Sequence, residues 1–201
     1  YEQKLKLDDL AERLIASEEP VTILIDGHEA EISEYLIKKL PNARVVMDGG
    51  SLRASNIKLA AWTDYFVVSE HFARDYMSYR SLSTEAEIKA ALIELNKICR
   101  GEAFITLGEK GCAFLKSGML QIVPSWLCNA VDTTGAGDVF HGAFTYGVHY
   151  SWHIDNIILF ASLTAAISIE KKGVRESMPD LAVVHHSLNS YERNLKQYFE
   201  E

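Results

Sequence analysis

The chain has 201 residues, 48% of them hydrophobic and 24% charged, with 12 Gly and 4 Pro, a balance that excludes a disordered or fibrous protein and suits one soluble domain. Twenty Lys and Arg against 28 Asp and Glu leave a net charge of −8. The bulk field therefore repels nucleic acid and anionic membrane surfaces, so neither is expected as a partner, and an anionic ligand must be held by local features.

Cys99, Cys112 and Cys128 are odd in number and lack CxxC spacing, which argues against a disulfide framework or a cysteine zinc site and suits a reducing, cytoplasmic setting. No signal-peptide pattern opens the chain. The most apolar stretch, Ile157 to Ile169, is broken by Ser162, Thr164 and Ser168 and is too short to span a bilayer. The chain begins at Tyr1 and runs through a linker-like opening into helix, with Leu10, Leu14 and Ile15 at helical spacing, so it is expected to be the later part of a longer protein.

Short apolar runs then alternate with longer segments of helical period, the pattern of βαβ units and a mainly parallel sheet. Val21 to Ile25 reads as a buried strand ending at Asp26-Gly27. A helix over about Ile32 to Leu40, stopped by Pro41, leads to a strand at Arg44 to Met47 that ends in Asp48-Gly49-Gly50. Tyr65 to Val68 is a third strand, followed by a short helix and a longer one from about Thr84 to Cys99, buried through Ile88, Leu92, Leu95 and Ile98. Ala103 to Leu107 is the fourth strand, leading into Gly108-Glu109-Lys110-Gly111. Cys112 to Leu115 and Met119 to Val123 flank Lys116-Ser117-Gly118 as a hairpin, so one edge of the sheet is mixed. After a loop from Pro124 to Thr134, helices follow at about Gly137 to His149, Ile154 to Glu170, and Leu181 to the C-terminus. No repeat or linker divides residues 1–201 into two domains.

The most informative run is Val131-Asp132-Thr133-Thr134-Gly135-Ala136-Gly137-Asp138-Val139-Phe140. Gly135, Ala136 and Gly137 leave their amides open to close approach at the start of an apolar helix, whose unsatisfied N–H groups and dipole favour an anion. Asp138, in the first turn, stands where it can take a proton from a hydroxyl attacking a bound phosphoryl group. Taken alone, a GxGD string also serves as a tight turn with a helix cap.

The full D-T-x-G-A-G-D string before a GAFTYGV helix closely resembles the C-terminal signature of the ribokinase-like, or PfkB, carbohydrate kinase family. The resemblance implies a three-layer α/β/α fold with a mainly parallel sheet, without the N-terminal part and small β lid of family members. It implies an anion hole at Gly135, Ala136 and Gly137 for the γ-phosphate of ATP, with Asp138 as the catalytic base. Thr106-Leu107-Gly108-Glu109-Lys110-Gly111 is similar to the family's T-x-G-x-x-G segment, which implies nucleotide contacts at Thr106, Gly108 and Gly111. Ser162 falls near the adenine pocket, with Gly173 and Ser177 at a cation loop. Asp26, and Asp48 with Arg53, resemble sugar-side positions, and Asp132 a cation or metal-water position.

One element departs from the family pattern. An N-x-x-E is expected after the third strand, where this chain has Ser69-Glu70-His71-Phe72, leaving Glu70 to supply a carboxylate for metal. The implied cofactors are ATP, Mg2+ and a monovalent cation such as K+; the implied partner is a small sugar-like acceptor. The assembly state stays open, a homodimer included. His141, one turn into the signature helix, and the adjacent His185 and His186 read as surface or supporting residues rather than zinc ligands. The activity implied is ATP-dependent transfer of phosphate to a carbohydrate hydroxyl. The rival is a nucleotide-binding fragment or pseudokinase with an association role.

Overall fold

Alternation along the strands sorts their side chains into two cores. In the computed structural model, which describes residues 2–199, α1 (Glu2–Ala16) precedes β1 (Thr22–Ile25), α2 (Ala30–Lys39), β2 (Arg44–Asp48), α3 (Ala54–Ala60), β3 (Tyr65–Ser69), α4 (Glu70–Tyr76), α5 (Glu85–Ile98) and β4 (Glu102–Thr106). A 3₁₀ turn at Gly108–Lys110 leads into β5 (Cys112–Lys116) and β6 (Met119–Val123), and then come α6 (Ala136–His149), α7 (Ile154–Ser168) and α8 (Leu181–Phe199). The opening segment is helix from Glu2 onward rather than linker. Helix α3 is the one element absent from the sequence expectations, because seven residues are too few to display an apolar period.

The six strands lie in the order β1-β2-β3-β4-β5-β6. The first four are parallel, in register through pairs such as Ile25 with Met47 and Val67 with Phe104. The hairpin β5–β6 adds antiparallel strands beyond β4, giving the expected mixed edge.

Val45, Met47, Phe66, Val68, Ala103 and Ile105 point to one face, where they meet Ile37, Leu59, Phe72, Leu92 and Leu95 from α2 to α5. The intervening Val46, Val67 and Phe104 point to the other, against Phe140 and Phe144 of α6, Ile157 and Ile158 of α7 and Val184 of α8. This is the period of two expected of strands buried on both faces, and it produces the three-layer α/β/α architecture. Capping fixes where helices begin. Thr84 accepts from the Glu87 amide while the Glu87 carboxylate accepts from the Thr84 amide, a reciprocal box that starts α5. The three cysteines are free thiols. Among the described residues, no helix is long and apolar enough to cross a membrane.

Because β1 to β4 run parallel, Asp26, Asp48, Ser69 and Thr106 leave the sheet at the same end. Ligands of open α/β sheets gather at that carboxyl end.

Candidate active site

Helix α6 begins on the carboxyl side of the sheet. Its N-cap, Gly135, has φ of +77°, a conformation that costs any other residue. A Cβ at Gly135 would also lie 2.6 Å from Val174 Cγ1. Ala136 donates its amide to Thr133 O at 3.2 Å, which closes the turn. The expected cup therefore changes composition: among the described residues, the amides of Gly135, Gly137 and Asp138 have no acceptor, whereas that of Ala136 is spent. A Cβ built on Gly137 meets nothing within 4 Å, so that side of the helix start is uncrowded, whereas Val174 packs against Gly135. Asp138 is exposed, and among the described residues no hydrogen bond or ion pair restrains its carboxylate. Donors and a free carboxylate thus coincide at one helix N-terminus.

An open cavity of about 460 Å³ joins this helix to the strand ends; Asp26, Glu29, Asp48, Asp138 and His141 line it together with Ile23 to Ile25 of β1. Asp26 Oδ1 accepts the His28 amide at 3.0 Å, and Oδ2 lies 3.0 Å from His28 Nδ1. Partial burial works to raise the Asp26 carboxyl, but the bonds from the His28 amide and ring outweigh it and hold the group below the usual carboxylate range. Arg53 Nη1 donates to His28 Nε2 at 2.9 Å. Arg53 therefore joins Asp26 through His28. Asp48 Oδ1 accepts the Gly50 amide at 2.8 Å and Oδ2 faces His141 Nδ1 at 3.2 Å. It is a restrained wall of the cavity rather than a free acceptor.

His141 is 5% exposed. Its Nδ1 also lies 2.7 Å from Gly137 O, and its Nε2 lies 3.2 Å from Val67 O. Sequence reasoning left this residue among surface or supporting histidines. The signal that could have found it is its offset of three from Asp138, which puts both on one side of the helix. Asn56 was also missed: it is fully buried and donates to Gly49 O and Ser51 O, which fixes the loop after β2.

The remaining sequence-predicted residues are less concentrated. Asp132 Oδ1 accepts the Thr134 amide at 3.1 Å and Oδ2 accepts the Gly173 amide at 3.2 Å. The hydroxyl and amide of Thr134, with the Gly173 amide, lower its carboxyl from the ordinary value. The two glycine-bearing loops are thereby tied together. Ser177 is buried and directs its hydroxyl to Val174 O at 3.4 Å. Ser162 is enclosed in α7 at 5% exposure, so it is a core serine rather than a surface contact. Thr106 donates to Val68 O at 3.4 Å. Gly111 has φ of +102°, and a Cβ there would come within 2.0 Å of Val123 O; it is required by the hairpin turn. Gly108 stands in open space.

Ser69 caps α4, accepting from the Phe72 amide at 3.1 Å, and its hydroxyl donates to Gly50 O at 3.0 Å. Phe72 is fully buried and meets Phe66 edge to face at 5.5 Å. In this chain the element is part of the core. Glu70 and Asp132 belong to no group of three or more His, Cys, Asp or Glu able to hold a metal among the described residues. Asp132 accepts one hydrogen bond at each oxygen, the second from Gly173 in the loop that also carries Ser177.

A sheet whose parallel strands deliver carboxylates to one end, beside a glycine-led helix start with free amides, defines an α/β protein with its candidate site at the carboxyl edge of the sheet. Residues 51–181 match the family described as pfkB family carbohydrate kinase, and the chain belongs to that family. It is 29% identical to the ribokinase of Lactococcus lactis over 189 residues, covering 94% of this chain and 60% of that protein. It is 31% identical to the deoxyribokinase of Salmonella typhi over 131 residues, 65% of this chain and 42% of that one. The fold resembles that of Arabidopsis thaliana ribokinase complexed with ribose and ATP, with a TM-score of 0.72 and 24% identity over 82% of this chain and 55% of that one. Fructokinase from Vibrio cholerae, in a form with fructose, ADP and calcium ion bound, gives a TM-score of 0.70 at 20% identity, covering 84% of this chain and 60% of that one. The chain spans less than two thirds of the length of each of these relatives.

Proposed function

We propose that this single domain handles the phosphate side of an ATP-dependent sugar kinase. The observation that carries the reading is the exposed, unrestrained Asp138 carboxylate beside the amides of Gly135, Gly137 and Asp138, which have no acceptor among the described residues. A carbohydrate hydroxyl in the cavity would donate its proton to Asp138 as its oxygen attacks the γ-phosphorus. The bond from that phosphorus to the β–γ bridging oxygen would break, releasing ADP. The free amides would take up charge on the transferring phosphoryl group, so positioning and fixed dipoles supply the catalysis. Magnesium would enter with the nucleotide, on phosphate oxygens and water, and no protein residue is assigned to it.

Of the four cavity carboxylates, those of Asp138 and Glu29 carry no described hydrogen bond, and an ionised carboxylate accepts from hydroxyls without donating, which favours a hydroxyl-rich acceptor. The test is calorimetry with ATP, followed by a phosphate-transfer assay over a panel of sugars and nucleosides. Transfer to a sugar hydroxyl supports the reading. ATP binding with no transfer to any acceptor overturns it in favour of a nucleotide-binding module.

A further inference from the structure

We infer that His141 is a positioning residue which, carrying hydrogen on both ring nitrogens, pins the first turn of α6 to the ends of β2 and β3 and so holds the free amides and Asp138 in register. The inference rests on the phosphotransfer reading for its consequence, though not for its geometry. An imidazole with one N–H must direct its other nitrogen at a donor. His28 meets that condition, with Asp26 on one nitrogen and the Arg53 guanidinium on the other. His141 does not. Its three neighbours within hydrogen-bond reach are all oxygens: Gly137 O and Asp48 Oδ2 at Nδ1, and Val67 O at Nε2. Losing either hydrogen would set a buried lone pair against a carbonyl oxygen, which costs more than the bond alone.

The charges around the ring agree. Asp48 faces it from the end of β2, Asp138 shares its helix, Asp26 and Glu29 line the same cavity from the β1–α2 connection, and β3 presents the Val67 carbonyl. Among the described residues, His141 is the only side chain lining that cavity able to carry positive charge. Its bonds join three elements that sequence keeps apart. Gly137 O belongs to the residue just before Asp138, Val67 O also receives the Gly49 amide at 2.7 Å, and Asp48 is tied to Gly50. The strand exits and the helix start are thereby locked as one unit.

Nitrogen-15 NMR of the histidine rings in the 201-residue chain tests the protonation directly, with His141→Asn to assign the signals. At pH 7 both His141 nitrogens should bear hydrogen; a bare nitrogen on His141 overturns the inference. As pH rises, the amide resonances of Gly135, Gly137 and Asp138 should shift with the midpoint of His141. Amides that stay still through that titration refute the positioning role. In the transfer assay, His141→Asn and His141→Phe should lower kcat roughly 10- to 100-fold through misplacement alone. KM for ATP should move far less, and the alkaline limb of the kcat profile should disappear; unchanged kcat refutes the role. His141→Gln, which keeps a donor, replaces either variant that fails to fold by circular dichroism. If the unsubstituted chain transfers no phosphate, the proposed function falls, while the ring and amide measurements still decide the inference.

Discussion

Asp132 and Gly173 are joined across two loops: the Asp132 carboxylate accepts the Gly173 amide at 3.2 Å while its other oxygen takes the Thr134 amide. One half-buried side chain thus sets the spacing between the loop that starts α6 and the loop that follows α7. The Thr134 bonds, with the Gly173 amide, depress its carboxyl. A depressed group contributes stability that is present above the unfolded carboxylate value, about 3.9, and is lost as pH falls through the lower folded value. Acidification below about pH 4 should therefore release the Gly173 amide, read as faster hydrogen exchange at that residue. Asp132→Asn should show the same loosening at neutral pH, and equal exchange in the variant and the parent refutes the tie.

Asp138→Asn keeps the side-chain shape and removes the proposed base. Turnover should fall by roughly 100- to 10,000-fold, the usual contribution of a positioned general base. The thermal midpoint should stay level, because no described hydrogen bond depends on the carboxylate. Steady-state kinetics beside calorimetric melting separate the two effects.

Gly135→Ala meets two obstacles, the φ of +77° and the Val174 methyl 2.6 Å from the new Cβ. The left-handed backbone alone should cost about 1–3 kcal/mol, read from urea unfolding. Adding Val174→Ala should recover only the steric part, leaving the backbone cost in place.

At the element that departs from the family pattern, Ser69→Ala removes both a cap and the bond to Gly50 O, for a loss of about 1 kcal/mol in urea unfolding. Phe72→Glu, which writes the family's carboxylate back in, should unfold the chain. The new charge would be buried against Phe66 without a partner, a penalty of several kcal/mol. A folded, more active Phe72→Glu chain would contradict the placement of Phe72 in the core.

Much of the architecture could be read from the chain. The short apolar runs at Arg44 to Met47 and Tyr65 to Val68, buried on both faces, and the helical spacing of Ile88, Leu92 and Leu95 name their elements because burial sets the pattern. The run from Asp132 to Asp138 carried the site, since small residues at a helix start announce free amides locally. Contacts were not legible where sequence distance says nothing of them. Arg53 reaches His28, and Ser162 is enclosed within α7. Ala136 spent its amide on Thr133, a choice that depends on loop geometry rather than residue type.

By itself the sequence determined the strand and helix pattern, the parallel sheet with one mixed edge, and the glycine-led start of α6, all consequences of local sterics and periodic burial. Only the tertiary structure decided that Asp138 stays free while Asp48 and Asp132 are held, and that His141 sits among three oxygens from three elements. Those outcomes depend on which atoms meet across residues 48 to 141, and hydrogen-bond satisfaction in a shared interior is set by that meeting alone.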